Sequence, residues 1–140
     1  MMGDSITKVT SPSMDILLVD DNPEYLMLTR DVLYSNGYTV YTAKDGEEGC
    51  NVLSDTEIDL IISDVKMPNF DGLKLHAFAR ETERYRETKF VFVSGVRDAV
   101  ADVVTMNPKI DFFLSKATPL KEFLEFIDTL AFGTYGGELV

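Results

Sequence analysis

Five side chains in this chain of 140 residues are of the types that phosphoryl chemistry on a carboxylate requires. They are Asp20, Asp21, Asp64, Ser94 and Lys116, and each stands at the carboxyl end of a short apolar run. Three carboxylates converging on one crevice repel one another unless a cation joins them. Oxygen donors with no His or Cys alongside select a hard ion such as Mg2+, which keeps several waters and accepts a phosphate oxygen. Ser94 adds a hydroxyl donor and Lys116 a fixed positive charge. Such a set could carry a phosphoryl group on a nucleophilic aspartate, with metal and lysine offsetting charge on the equatorial oxygens. The product would be a mixed anhydride, an aspartyl phosphate.

These residues meet only if the chain between them folds to bring strand ends together. Five apolar runs, at 15–20, 38–43, 58–64, 89–94 and 110–116, alternate with amphipathic segments. The first, third and fourth are almost continuous in Ile, Leu, Val and Phe, the pattern of parallel strands covered on both faces. The second alternates more, which suggests a strand nearer an edge. Asp21 or Asn22 can cap a first helix with Pro23 in its first turn and Gly37 after its end. Leu26, Thr29, Val32 and Leu33 then form one face. The last helix, from 119 to about 132, shows the i, i+3, i+4, i+7 pattern in Leu120, Phe123, Leu124, Ile127, Leu130 and Ala131. Further helices are expected near 45–54, 72–84 and 97–106. Gly49 weakens the first of these by roughly 1 kcal/mol relative to Ala. The alternation predicts an α/β protein with a doubly wound, five-stranded parallel sheet, for which the order 2-1-3-4-5 is taken over from known sheets of this kind rather than derived. In such a sheet the ligand crevice lies at the carboxyl ends of the strands.

Composition narrows the rest. Apolar residues make up 45% and charged residues 26%, which supports a packed core. A net charge of -11 argues against binding nucleic acid through its phosphates. No apolar run reaches membrane-spanning length and the first residues do not read as a signal peptide, so a cytoplasmic location is expected. Residues 1–13 read as a flexible leader, 14–132 as one domain and 133–140 as a Gly-rich tail. No DNA-binding output domain is expected beside that domain unless the chain is a fragment of a longer protein. The single cysteine, Cys50, cannot form an internal disulfide and reads as a small buried hydrophobe.

Several fragments carry a family resemblance: Leu17-Leu18-Val19-Asp20-Asp21, Leu60-Ile61-Ile62-Ser63-Asp64-Val65-Lys66-Met67-Pro68, Asp71-Gly72, Val93-Ser94-Gly95 and Phe113-Leu114-Ser115-Lys116. Each is weak alone, but their order and placement at strand ends resemble the response-regulator receiver domain of bacterial two-component signalling, over about residues 14–132. The resemblance implies that Asp64 is the phosphoacceptor and that Asp21 binds Mg2+ directly. Asp20 would bind it mostly through water, and the backbone carbonyl of Lys66 would complete the protein ligands. Ser94 and Lys116 would hold the phosphoryl oxygens. Ser94 and Phe113 would act as the switch pair, remodelling the surface of the fourth helix (97–106), the fifth strand and the last helix for a protein target. The implied donor is a histidine kinase or a histidine phosphotransfer protein.

Two departures stand out. Ala117 follows Lys116 where the family usually has proline, so the intervening peptide bond could be trans or a strained cis. Phe113 lacks the hydroxyl of the commoner tyrosine. Lys66 and Val96 occupy positions that the resemblance links to access of the hydrolytic water, where a cation and a hydrophobe could lengthen the phosphorylated lifetime. Bland readings stand beside the sharp ones. An Asp-Asp pair alone is usually a helix cap, Phe113 could be static core, Phe112 could pack or face a partner, and His76 reads as an incidental surface side chain. Two other functions compete. A haloacid dehalogenase-type hydrolase needs a second aspartate two residues after its nucleophile, where Lys66 and Asn22 stand here. A degenerate receiver would act as a phosphorylation-independent interaction module, against the intact set of five.

Overall fold

The apolar runs form five parallel strands in the order β2-β1-β3-β4-β5. A computed structural model describes residues 14–95 and 107–132. The strands are β1 (Asp15–Val19), β2 (Thr39–Ala43), β3 (Leu60–Asp64), β4 (Lys89–Ser94) and β5 (Asp111–Ser115). Between and after them lie α1 (Pro23–Ser35), α2 (Gly46–Asp55), α3 (Gly72–Glu81), a 3-10 turn (Glu83–Tyr85) and α4 (Leu120–Phe132). The expected doubly wound sheet is therefore the observed one. The run with the weakest apolar character, β2, is an edge strand. The expected helix near 97–106 lies outside the described residues, as do the leader at 1–13 and the tail at 133–140.

Strand alternation divides the interior into two layers. Leu17, Val19, Ile61, Phe90 and Phe92 face one side and pack with Leu53 of α2 and Leu75 and Ala79 of α3. Ile16, Leu18, Leu60, Ile62, Val91 and Val93 face the other, against Leu33 of α1 and Phe123 and Ile127 of α4. Burial of each such large aliphatic side chain contributes roughly 1.5–3 kcal/mol. Both faces of the central strands are thus dry, which is why their sequences read as continuous apolar runs. On α1 the expected face holds at Thr29 and Leu33, which are buried. On α4, Leu120 departs from expectation: as the first residue of the helix it stays exposed.

The helix starts follow local chemistry. The Asn22 side chain accepts from the amides of Glu24 and Tyr25, Asp45 from Glu48 and Asp71 from Lys74. Of the two candidate caps for α1, Asn22 is the one used. Gly37 leaves that helix with φ 98°, a left-handed conformation that costs glycine little. Helix α3 stops at Glu81, short of the expected 84, and the chain tightens into the 3-10 turn.

Candidate phosphoryl-acceptor site

Strand ends place the five residues where the topology requires. Asp64 is the last residue of β3 and Ser94 the last of β4, while Asp20 and Lys116 directly follow β1 and β5. Register aligns Val19 with Ser63, and Asp64 with Val93, so these ends lie side by side. The Lys116 amide donates to the Ser94 carbonyl at 3.1 Å, extending the β4–β5 ladder by one step. Beyond it the turn closes on Ser115, whose hydroxyl accepts from the Ala117 amide at 3.0 Å. The Lys116–Ala117 peptide bond is trans. Alanine thus serves where the family usually has proline, with a serine-based turn to hold the loop.

Carboxylates dominate the crevice. One oxygen from each of Asp20, Asp21 and Asp64 lies within 4.8 Å of the other two. Asp20 and Asp64 are buried, whereas Asp21 is exposed. The Lys116 ammonium stands 2.8 Å from Asp20 Oδ2 and 3.2 Å from Asp64 Oδ2. Asp64 Oδ1 accepts from the Val65 amide at 2.7 Å, and Asp20 Oδ1 from the Asn22 amide at 2.8 Å. Burial raises the Asp64 pKa above the ordinary carboxylate value, with Asp20 adding to the rise and Lys116 and the Val65 amide opposing it. Burial works to lower the Lys116 pKa, but its hydrogen bond and charge pairing with Asp20, and then Asp64, leave it raised. Among the described residues negative charge exceeds positive here: three carboxylates face one ammonium. An all-oxygen donor set with excess negative charge fits a hard divalent cation.

Glycine makes the approach to Asp64 possible. A Cβ on Gly72 would lie 2.0 Å from the Asp64 carbonyl oxygen and 3.0 Å from Ser63 Oγ. The Gly72 amide in turn donates to Val65 at 2.9 Å, tying the start of α3 to the end of β3. Asp71-Gly72 therefore couples a helix cap to the backbone of the central aspartate. Between them the loop turns at Asn69, with φ 69°, a left-handed position that asparagine tolerates. Lys66, in this loop, has an exposed side chain. Val96 lies outside the described residues.

Other expectations are sharpened or corrected. Phe113 is partly buried, packs against the layer that contains Phe92, and is that residue's register partner. Phe112 packs on α4, its ring edge-on to Phe126 at 5.6 Å between centroids. Cys50 is only partly buried and packs against the layer that contains Leu53; burial and then Glu47 push its thiol up to about 11. His76 is not an incidental surface residue. It is buried, 2.9 Å from Asp111 Oδ1, and its ring packs against Phe90 and Phe92. Its spacing of four from Arg80 on α3 and the aspartate inside the fifth apolar run were the signals available in the sequence, although neither says that the two meet. Tyr25 was also missed: its ring lies 4.6 Å from the Lys116 ammonium. No local pattern marks that contact.

A five-stranded doubly wound sheet with an acidic cluster and a lysine at its carboxyl edge defines a class of small signalling domains. The family model described as the response regulator receiver domain matches residues 16–128, and the chain belongs to that family. It is 35% identical over 114 residues to the transcriptional regulatory protein GlrR of Escherichia coli, covering 81% of this chain and 25% of GlrR. It is 38% identical over 124 residues to the sensor kinase CckA of Brucella abortus, covering 82% of this chain and 13% of CckA. The chain therefore spans a quarter or less of these two relatives. The crystal structure of the response regulator TrrA from Thermotoga maritima, in complex with Mg2+-BeF, superposes with a TM-score of 0.73 at 26% identity, covering 84% of this chain and 98% of that one. This is a receiver domain of two-component signalling, in a family of signalling modules rather than turnover enzymes. Among the described residues no helix is long and apolar enough to cross a membrane.

Proposed function

We propose that Asp64 accepts a phosphoryl group from a phosphohistidine donor, carried by a histidine kinase or a histidine phosphotransfer protein. One observation carries this reading: the buried Asp64 carboxylate sits within 4.8 Å of Asp20 and Asp21, with the Lys116 ammonium 3.2 Å away. A carboxylate oxygen of Asp64 attacks phosphorus, the N–P bond to the donor imidazole breaks, and its electron pair returns to the ring nitrogen. An acyl phosphate remains on Asp64. The Val65 amide holds one carboxylate oxygen in place during the attack. Lys116, already at the carboxylate, pairs with the incoming phosphoryl oxygens, and the Ser94 hydroxyl donates to them. Asp20, Asp21 and Asp64, with the Lys66 backbone carbonyl, would hold Mg2+, which when bound supplies positive charge against carboxylate and phosphoryl oxygens.

The consequence is a shift between two conformations. Phosphorylation changes their balance only by its differential interaction with each. In this reading Ser94 and Phe113 transmit it from the strand end to the surface of β5 and α4, where a protein target binds. The test is incubation with Mg2+ and a small phosphodonor, followed by intact mass measurement. Wild type gains one phosphoryl increment and Asp64→Asn gains none. Equal labelling of both, or of neither, overturns the proposal.

A further inference from the structure

The Lys116 ammonium is enclosed on two sides by different chemistry. Asp20 and Asp64 hold it through charged hydrogen bonds, while the face of Tyr25 covers it at 4.6 Å from the ring centroid. Tyr25 reaches this position because Asn22 accepts from its amide at 3.1 Å and fixes the first turn of α1 above the strand ends. The ring is partly buried against the layer that contains Leu18 and Ile62. Burial keeps the phenol neutral by raising its pKa, so it brings an aromatic face and no charge to the crevice.

A lysine on a four-carbon stem has many orientations, so two carboxylates alone set the aim of its ammonium only loosely. An aromatic face within about 6 Å attracts an ammonium electrostatically and displaces water from one of its sides. From this geometry we propose that Tyr25 is a positioning residue, holding the Lys116 ammonium aimed at Asp64 before the phosphoryl group arrives. Tyr25 need not touch the phosphoryl group. It acts through Lys116, and the aromatic face rather than the hydroxyl does so. The inference rests on Asp64 being the acceptor.

The test compares Tyr25→Phe, which keeps the face, with Tyr25→Leu, which keeps apolar bulk without it. Initial rates of Asp64 labelling by a small phosphodonor at saturating Mg2+ should stay within about twofold of wild type for Tyr25→Phe. They should fall about three- to tenfold for Tyr25→Leu, the range a single cation–π contact supports. In parallel, NMR should find the Lys116 ε-methylene protons shifted upfield by the ring current in wild type and Tyr25→Phe, and at ordinary lysine positions in Tyr25→Leu. Equal labelling rates in all three proteins overturn the proposal, as does loss of rate in Tyr25→Phe equal to that in Tyr25→Leu. Unshifted Lys116 protons in wild type overturn it without any reference to phosphorylation. Absence of labelling in wild type with the ring-current pattern intact instead overturns the assignment of Asp64 and leaves the packing of Tyr25 on Lys116 established.

Discussion

Two buried aspartates at opposite ends of the sheet have opposite surroundings. Asp111, at the amino end of β5, is saturated with donors. His76 lies 2.9 Å and Arg80 2.6 Å from its Oδ1, and the Asn107 amide donates to Oδ2 at 2.9 Å. Burial pulls its pKa upward, but these three donors outweigh that pull and hold it below the ordinary carboxylate value. Asp64, at the carboxyl end of β3, shares one ammonium with Asp20 and is raised instead. The same side chain is therefore a fastening in one place and an open acceptor in the other. What separates them is the balance of donors against acceptors. A site left short of positive charge is disposed to take a cation, whereas a satisfied one holds elements together.

The comparison can be broken by removing each carboxylate. Loss of function should be complete at one end: Asp64→Asn should take no phosphoryl group in the mass experiment, while Asp111→Asn should still be labelled. Stability should respond in the reverse order. Asp111→Asn leaves Arg80 and His76 facing a weaker partner in a nearly dry site and should lose about 3 kcal/mol in urea unfolding at neutral pH. Asp64→Asn, measured in chelator, should gain on the order of 1 kcal/mol, because it removes a carboxylate held against its preference. A destabilised Asp64→Asn would contradict the claim that this end is short of positive charge.

Gly72→Ala tests whether the open end depends on close backbone approach. Its Cβ would meet the Asp64 carbonyl at 2.0 Å, so α3 must shift, with a loss of roughly 1–3 kcal/mol. Labelling of Asp64 should slow as well, since the same strand end moves.

Acid should sharpen the contrast. A carboxyl whose folded pKa is lowered contributes stability above its unfolded value, near 4, that is lost as pH falls through the folded value. Asp111 is of this kind, so the deficit of Asp111→Asn should shrink below about pH 4. A carboxyl whose folded pKa is raised behaves oppositely, favouring the folded state at low pH and losing that contribution as pH rises through the folded value. The advantage of Asp64→Asn should therefore be full at neutral pH and fade as pH falls through the raised Asp64 value. Parallel curves for the two variants would remove the distinction. The smallest effect is expected at Cys50, on α2. With its thiol pushed up to about 11, it should alkylate at pH 7.5 more slowly than a free cysteine.

Much of this is legible in the sequence. The parallel sheet with helices on both faces follows from alternation of apolar runs with amphipathic segments, its strand order coming from known sheets of this kind, and Asp64 as the central carboxylate follows from its place at the end of the third run. In the sequence Asp111 is simply one residue of the fifth run, although an aspartate between Ile110 and Phe112 needs a partner once buried. Its partners His76 and Arg80 share one helix face, yet nothing local says which strand that face meets. Tyr25 was harder still. An aromatic in the first turn of an amphipathic helix reads as core, and its contact with Lys116 depends on how α1 and the turn after β5 converge.

The sequence by itself determined which residues could do chemistry, their order and the strand ends they occupy, because covalent order and hydrophobic periodicity suffice for these. Only the tertiary structure decided how charge is distributed among them. Lys116 meets Asp64 across 52 residues and His76 meets Asp111 across 35. Electrostatic balance depends on distances of a few ångströms between such remote positions, and on the burial that keeps water from screening them. For that reason Asp64 and Asp111 are alike as letters and differ as carboxylates.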